Sequence, residues 1–213
     1  MKTDDLISLQ ATGADAVAPH VAARRFALAI GAGLAGAALL MTMLLGVRPD
    51  LVEVASLPMF WVKVGFVAGL TVAGLFAASR LSRPGAVLGR VPGTIGALVL
   101  VMWGIAIYTL SAAPPEQRLD LFLGETWRSC PFLIALLSAP VFIAVICAMK
   151  GLAPTRPRFA GFAAGLLSGA TAALVYCLHC PEIEAPFVAF WYLLGMLIPA
   201  GAGAWFGEYL LRW

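Results

Sequence analysis

Trp127-Arg128-Ser129-Cys130-Pro131 opens, and Leu178-His179-Cys180-Pro181-Glu182 closes, the stretch that decides how this chain is read. Between them lie an apolar run, a short basic turn from Lys150 to Arg158, and a second apolar run. The pattern predicts a helical hairpin. Counted from Pro154 in the turn, Cys130 lies 24 residues back and Cys180 lies 26 residues ahead. At about 1.5 Å of rise per helical residue, the two thiols are expected at nearly equal height, on the side away from the basic turn.

Outward from this hairpin, the composition sets the class. The 213 residues are 62% hydrophobic and 12% charged, about half the charged fraction of a soluble domain. Runs Phe26–Val47, Pro58–Ala78, Val91–Leu110, Pro131–Met149, Phe159–Leu178 and Phe187–Phe206 each match the ~20 residues that cross a bilayer as a helix. The expected fold is all-α, a polytopic bundle of six transmembrane helices. No alternating ten-residue pattern of a membrane β-barrel is present. No apolar core follows the N-terminus closely enough for an export signal. The expected organisation is a polar N-terminal segment over 1–25 and a transmembrane domain over 26–213.

Basic residues in short loops orient such a bundle. Lys2, Arg24, Arg25, Arg80, Arg83, Arg90, Lys150, Arg156, Arg158 and Arg212 fall on one side, and Arg48, Arg118 and Arg128 on the other. Ten against three predicts both termini in the cytoplasm. Cys130 and Cys180 are then expected outside, where disulfides persist. The net charge of +3 gives no reason to expect nucleic-acid binding.

Three readings of Cys130 and Cys180 fit the residues: an inert staple, a reactive pair, or two unrelated thiols. His179 and Glu182 are auxiliary candidates. Cys130, Cys180 and His179 make a conceivable Cys2His set for a thiophilic cation, although adjacent residues on a helix point apart. Cys177-x-x-Cys180 has the spacing of a redox pair, yet Cys177 sits in an apolar run, where cysteine packs as a small hydrophobe. Cys147 is expected to pack. Lys63 is the clear charge within a span; such ions are functional suspects, but its long stem can snorkel to the interface, and that is the expectation. The small-residue series Gly65/Gly69, Gly161/Gly165/Gly169 and Gly203/Gly207 allow close helix contact, either within the bundle or in a homodimer. Pro140 and Pro199 are expected to bend their spans.

The block Met1-Lys2-Thr3-Asp4-Asp5-Leu6-Ile7, the six runs, the two cysteine motifs, Trp191-Tyr192-x-x-Gly195-Met196 and the terminal Leu211-Arg212-Trp213 together resemble one family. It is the NrsF-type integral-membrane anti-sigma factors, negative regulators of an extracytoplasmic-function sigma factor. The resemblance covers nearly the whole chain. It implies a regulator, not an enzyme, that needs no cofactor and holds a sigma factor at the membrane until stress releases it. It also implies that Cys130 and Cys180 sense redox or heavy-metal stress. The sigma contact would belong to the 1–25 segment, with Lys2, Thr3, Asp4, Asp5, Leu6 and Ile7 as candidates. Two rival readings stand beside it. One is a membrane thiol-disulfide oxidoreductase that uses Cys177, Cys180, Cys130 and a quinone. The other is a small transporter with Lys63 in its path.

Overall fold

A computed structural model describes residues 20–212. The Lys2 to Ile7 block therefore lies outside the described residues. Six long helices carry the fold: α1 (Val21–Leu44), α3 (Pro58–Leu81), α4 (Val91–Ala112), α6 (Cys130–Lys150), α7 (Pro157–Tyr176) and α8 (Ala185–Leu210). Two short ones, α2 (Leu51–Val54) and α5 (Arg118–Leu123), lie in the loops. All six long helices are long and apolar enough to span a membrane, and each begins or ends within a few residues of the run that predicts it. Large apolar side chains such as Leu28, Leu39, Met43, Leu100, Ile107 and Ile143 point outward, as a lipid-facing surface requires.

The helices are not equivalent. Of the α7 span 83% is buried, against 11% of α4, so α7 is the centre and α4 the periphery. The reason is the small-residue composition of α7. A Cβ at Gly161 would strike the Gly203 carbonyl oxygen, and one at Gly165 the Pro199 carbonyl oxygen. One at Gly169 would sit 2.8 Å from the Met196 Cα. The α7 and α8 backbones thus touch along three turns, and both glycine series on these helices are consumed inside one chain. A Cβ at Gly69 would meet Leu98 at 3.1 Å, whereas Gly65 has open space; the Gly65/Gly69 pair is no close-packing motif.

Pro140 and Pro199 sit inside α6 and α8 without interrupting them. Each is placed against glycine: a Cβ at Gly36 would lie 2.9 Å from Pro140, and Gly169 faces Pro199. The first part of α8 carries a π-helical turn, Val188–Tyr192. Such turns widen a helix locally by one residue and recur at functional sites.

Candidate functional site: a buried thiol cluster

At one end of the bundle, α7 stops at Tyr176, two residues before its apolar run does. The backbone N–H groups of His179 and Cys180 both donate to the Tyr176 carbonyl, at 3.0 and 2.9 Å. This closes the helix and drops residues 177–184 into irregular structure before α8. His179 and Cys180 are therefore not on a helix, and the expectation of shared or opposed helix faces does not apply to them. Cys130 is the first residue of α6, and its N–H donates to the Thr126 carbonyl at 2.9 Å.

The two sulfurs meet. The Cys130 and Cys180 thiols are neighbours, and the Tyr176 hydroxyl lies beside both. Cys130 and Cys180 are both fully buried, not exposed at a polar rim. The Tyr192 hydroxyl faces the same cluster and is the buried side-chain oxygen left without a well-formed hydrogen bond among the described residues. The π turn sets Tyr192 toward this point.

Two cations hold the Cys180 segment from beneath. Lys63 is completely buried, so the snorkelling expectation fails. Its ammonium donates to the Glu182 carbonyl at 2.7 Å and to the Cys180 carbonyl at 3.5 Å. It also stands 4.7 Å from the centre of the Tyr192 ring, a favourable cation–π arrangement. Cys180 and Glu182, released from the helix, turn their carbonyl oxygens toward α3 and solvate the charge that would otherwise seek water. Arg48, in the loop after α1, donates to the Cys180 carbonyl at 3.0 Å and pairs with Asp50 at 2.7 Å. Asp50 is held below the usual carboxylate range by that hydrogen bond.

Glu182 does something other than flank a metal. Its Oε1 accepts from the Glu125 N–H at 2.8 Å, the Thr126 N–H at 3.3 Å and the Thr126 hydroxyl at 3.4 Å. The segment leading into Cys130 is thereby tied to the segment that follows Cys180. Gly124 makes room for this tie: its φ of 58° and ψ of −170° suit glycine alone, and a Cβ there would meet the Glu182 carboxylate at 2.7 Å. His179 is turned elsewhere, donating from Nδ1 to the Gly46 carbonyl at 2.9 Å. The Cys130, Cys180, His179 metal set is consequently not formed. Among the described residues no three His, Cys, Asp or Glu side chains gather as a metal site.

The Cys180 thiol is pulled below its ordinary value, first by the hydrogen bond from Cys130. Burial opposes this, and the Lys63 charge, the Tyr192 hydroxyl and the Glu182 backbone N–H support it. Cys177 behaves oppositely: burial pushes its thiol up to about 11. A Cys-x-x-Cys redox pair wants a reactive thiolate at one member and a partner sulfur beside it. Here the sulfur beside Cys180 is that of Cys130. Cys147 is on the outer face of α6 and exposed, not packed in the core.

Sequence reasoning missed Arg48, Tyr176 and Tyr192. Arg48 carries the one available signal, a lone cation beside an acid in a short loop on the poorly charged side. Tyr176 lies in no motif, and Tyr192, though part of the Trp191-Tyr192-x-x-Gly195-Met196 run, gives no sign there that it faces the thiols.

Comparison with known proteins fits this picture. The family described as NrsF, negative regulator of sigma F, matches residues 11–213. The probable anti-sigma-F factor NrsF of Azospira oryzae is 63% identical over 213 residues, with both chains covered in full. The anti-sigma-F factor NrsF of Caulobacter vibrioides is 44% identical over 215 aligned positions, again with both chains covered in full. No solved structure matches. A helical bundle of six candidate spans, matched over nearly its whole length, thus has its identity from its relatives: the chain belongs to the NrsF family of negative regulators of sigma F.

Proposed function

We propose that the protein is an inner-membrane anti-sigma factor that sequesters an extracytoplasmic-function sigma factor and lets it go when Cys130 and Cys180 change state. The observation that carries this reading is the convergence of those two sulfurs, buried and charge-supported, in a chain whose relatives are named anti-sigma-F factors. The basic end of the bundle faces the cytoplasm, with the 1–25 segment as the sigma contact, and the cysteine end faces the periplasm. The loop charge asymmetry supports that orientation.

In the oxidising direction, each thiol gives up one proton and one electron to a diffusible two-electron oxidant, and one S–S bond forms between Cys130 and Cys180. A lowered Cys180 pKa supplies the attacking thiolate at neutral pH. A thiophilic metal cation would act on the same two sulfurs. Because 130 opens α6 and 180 follows α7, either event changes how these helices sit against each other.

Magnitudes limit how the switch is built. A disulfide is worth about 2–4 kcal/mol, whereas moving a partner from 99% to 1% bound takes about 5.5 kcal/mol. The resting equilibrium therefore sits close to balance; about 2.6 kcal/mol carries it from roughly 90% to 10% bound.

The test is isolation of the full-length protein from membranes of the native host, with and without oxidant. Co-purification of a sigma factor that responds to oxidant in the natural chain, and no longer responds in C130S/C180S, is the expected result. Absence of any sigma factor in every state overturns the sequestration. An unchanged oxidant response in C130S/C180S overturns the thiol switch alone. Turnover of a thiol substrate, lost in C177A, would favour the oxidoreductase instead.

A further inference from the structure

The basic end of the bundle contains a feature that the thiol cluster does not use. Because α4 packs mainly on α3 and the start of α8, a wedge opens between α4 and the α7–α8 pair. It is a cleft of about 730 Å³ lined by side chains such as Leu70, Ile95, Val99, Phe162, Leu193 and Leu197, with Arg158 as the charged group in its wall. Its volume is in the range of small-molecule and cofactor pockets, about 300–1,000 Å³. Its lining on α8 runs from Leu193 to Ala204, a rise of about 16 Å. That is about one leaflet of a hydrocarbon core roughly 30 Å thick.

A second, more polar cavity of about 400 Å³ adjoins the first and shares Leu81, Leu88 and Phe159 with it. Arg83 and Arg156 line it. Arg83 comes from the α3–α4 loop and Arg156 from the residue before α7. Among the described residues, none of Arg83, Arg156 and Arg158 takes part in an ion pair. Arg80 is used differently, bracing the same loop through the Leu88 carbonyl at 2.9 Å.

We propose that this composite cleft binds an anionic phospholipid, with an acyl chain in the wedge between α4, α7 and α8 and the phosphate headgroup on Arg83, Arg156 and Arg158. An apolar slot one leaflet deep, crowned by guanidinium groups that no described acid pairs, has the two chemistries of such a molecule in their natural order. Arginine forks match phosphate oxygens in pairs, and basic pockets between transmembrane helices take acidic headgroups. An extended peptide segment fits less well, since its backbone would bring unsatisfied polar groups into the apolar part. A zwitterionic lipid fills the slot but brings its own cation to the arginines. The site lies on α7 at the opposite end from Cys180, so lipid occupancy acts on the same central helix as the thiols. The lipid reading stands without the sigma-factor reading.

Native mass spectrometry of the full-length protein in detergent micelles tests it, with cardiolipin and phosphatidylcholine as probes and inorganic phosphate as competitor. Expected is at least tenfold preferential retention of cardiolipin, lost to within threefold in R83Q/R156Q/R158Q, and no displacement by millimolar phosphate. A163F, which fills the wedge, is expected to reduce retention of both lipids while the arginines remain. Equal retention of the two lipids overturns the proposal, as does a preference that survives the triple change. Displacement by free phosphate, or a dimer that excludes lipid, also overturns it. Circular dichroism of each variant confirms that a loss is not unfolding, and the triple change, on exposed side chains, keeps the test valid if A163F fails to fold.

Discussion

Removing the Glu182 carboxylate probes the thiol cluster at its brace without touching a sulfur. In E182A three acceptor contacts vanish, and the Glu125 and Thr126 N–H groups lose their partner. The 2.8 Å contact is a charged hydrogen bond, worth about 1.5–3 kcal/mol. The contacts at 3.3 and 3.4 Å are near the limit of the interaction and add little. Glu182 is only half-buried, so solvent screening holds the total near the lower bound, about 2 kcal/mol. That energy holds the entry to α6 against the segment after Cys180. Its loss lowers the equilibrium constant for holding Cys130 against Cys180 by about thirtyfold. The assay is the rate of Cys130–Cys180 disulfide formation by diamide in full-length protein with Cys147 and Cys177 changed to alanine, read by mass after alkylation. E182A is expected to slow by about an order of magnitude or more, and E182Q, which keeps a neutral acceptor, by less. G124A attacks the same tie from its other side, through a forbidden φ and a contact with the carboxylate, and is expected to match E182A. An oxidation rate equal to the parent's in both E182A and G124A would refute the brace.

Two further outcomes follow from the same geometry. In K63M the positive charge that supports the Cys180 thiolate is gone. The pH profile of Cys180 alkylation by N-ethylmaleimide, read by mass on the Cys180 peptide with Cys130 kept in place, should shift upward. The sign follows from the lowered pKa: the parent thiolate persists as pH falls below the ordinary thiol range of about 8.5, and the variant loses it sooner. An unchanged profile would mean that Lys63 only props up the backbone. On α7, G165L forces a side chain into the Pro199 carbonyl and is expected to destabilise the bundle by at least about 1–3 kcal/mol, seen as a lower melting temperature in detergent. G65A, with nothing nearby, should change stability by less than about 1 kcal/mol; equal losses in both would contradict the packing.

The spans were legible because membrane burial demands long apolar runs, and that demand is written residue by residue. So was the equal height of Cys130 and Cys180, since a helical hairpin counts its own length. What escaped was tertiary. Lys63 looked free to snorkel because nothing local reveals that residues 180–182 leave the helix and offer carbonyls. Glu182 looked like a neighbour of Cys180, while its partners lie more than fifty residues earlier. The glycine spacing at 65 and 69 was the same as at 161 and 165, and only the fold separates a packed pair from an idle one. Of the 1–25 segment, which holds the Lys2 to Ile7 block, only the last residues fall among the described ones.

The contact between α7 and α8 is made of backbone, with few side chains between. Side-chain interfaces absorb small displacements by changing rotamers; two bare backbones have none to change. A tilt or slide imposed beside Tyr176 would therefore be passed with little loss to Pro157, some 30 Å away, where Gly207 rests on the Pro157 carbonyl. The pair acts as a pushrod, and its stiffness comes from what its glycines leave out.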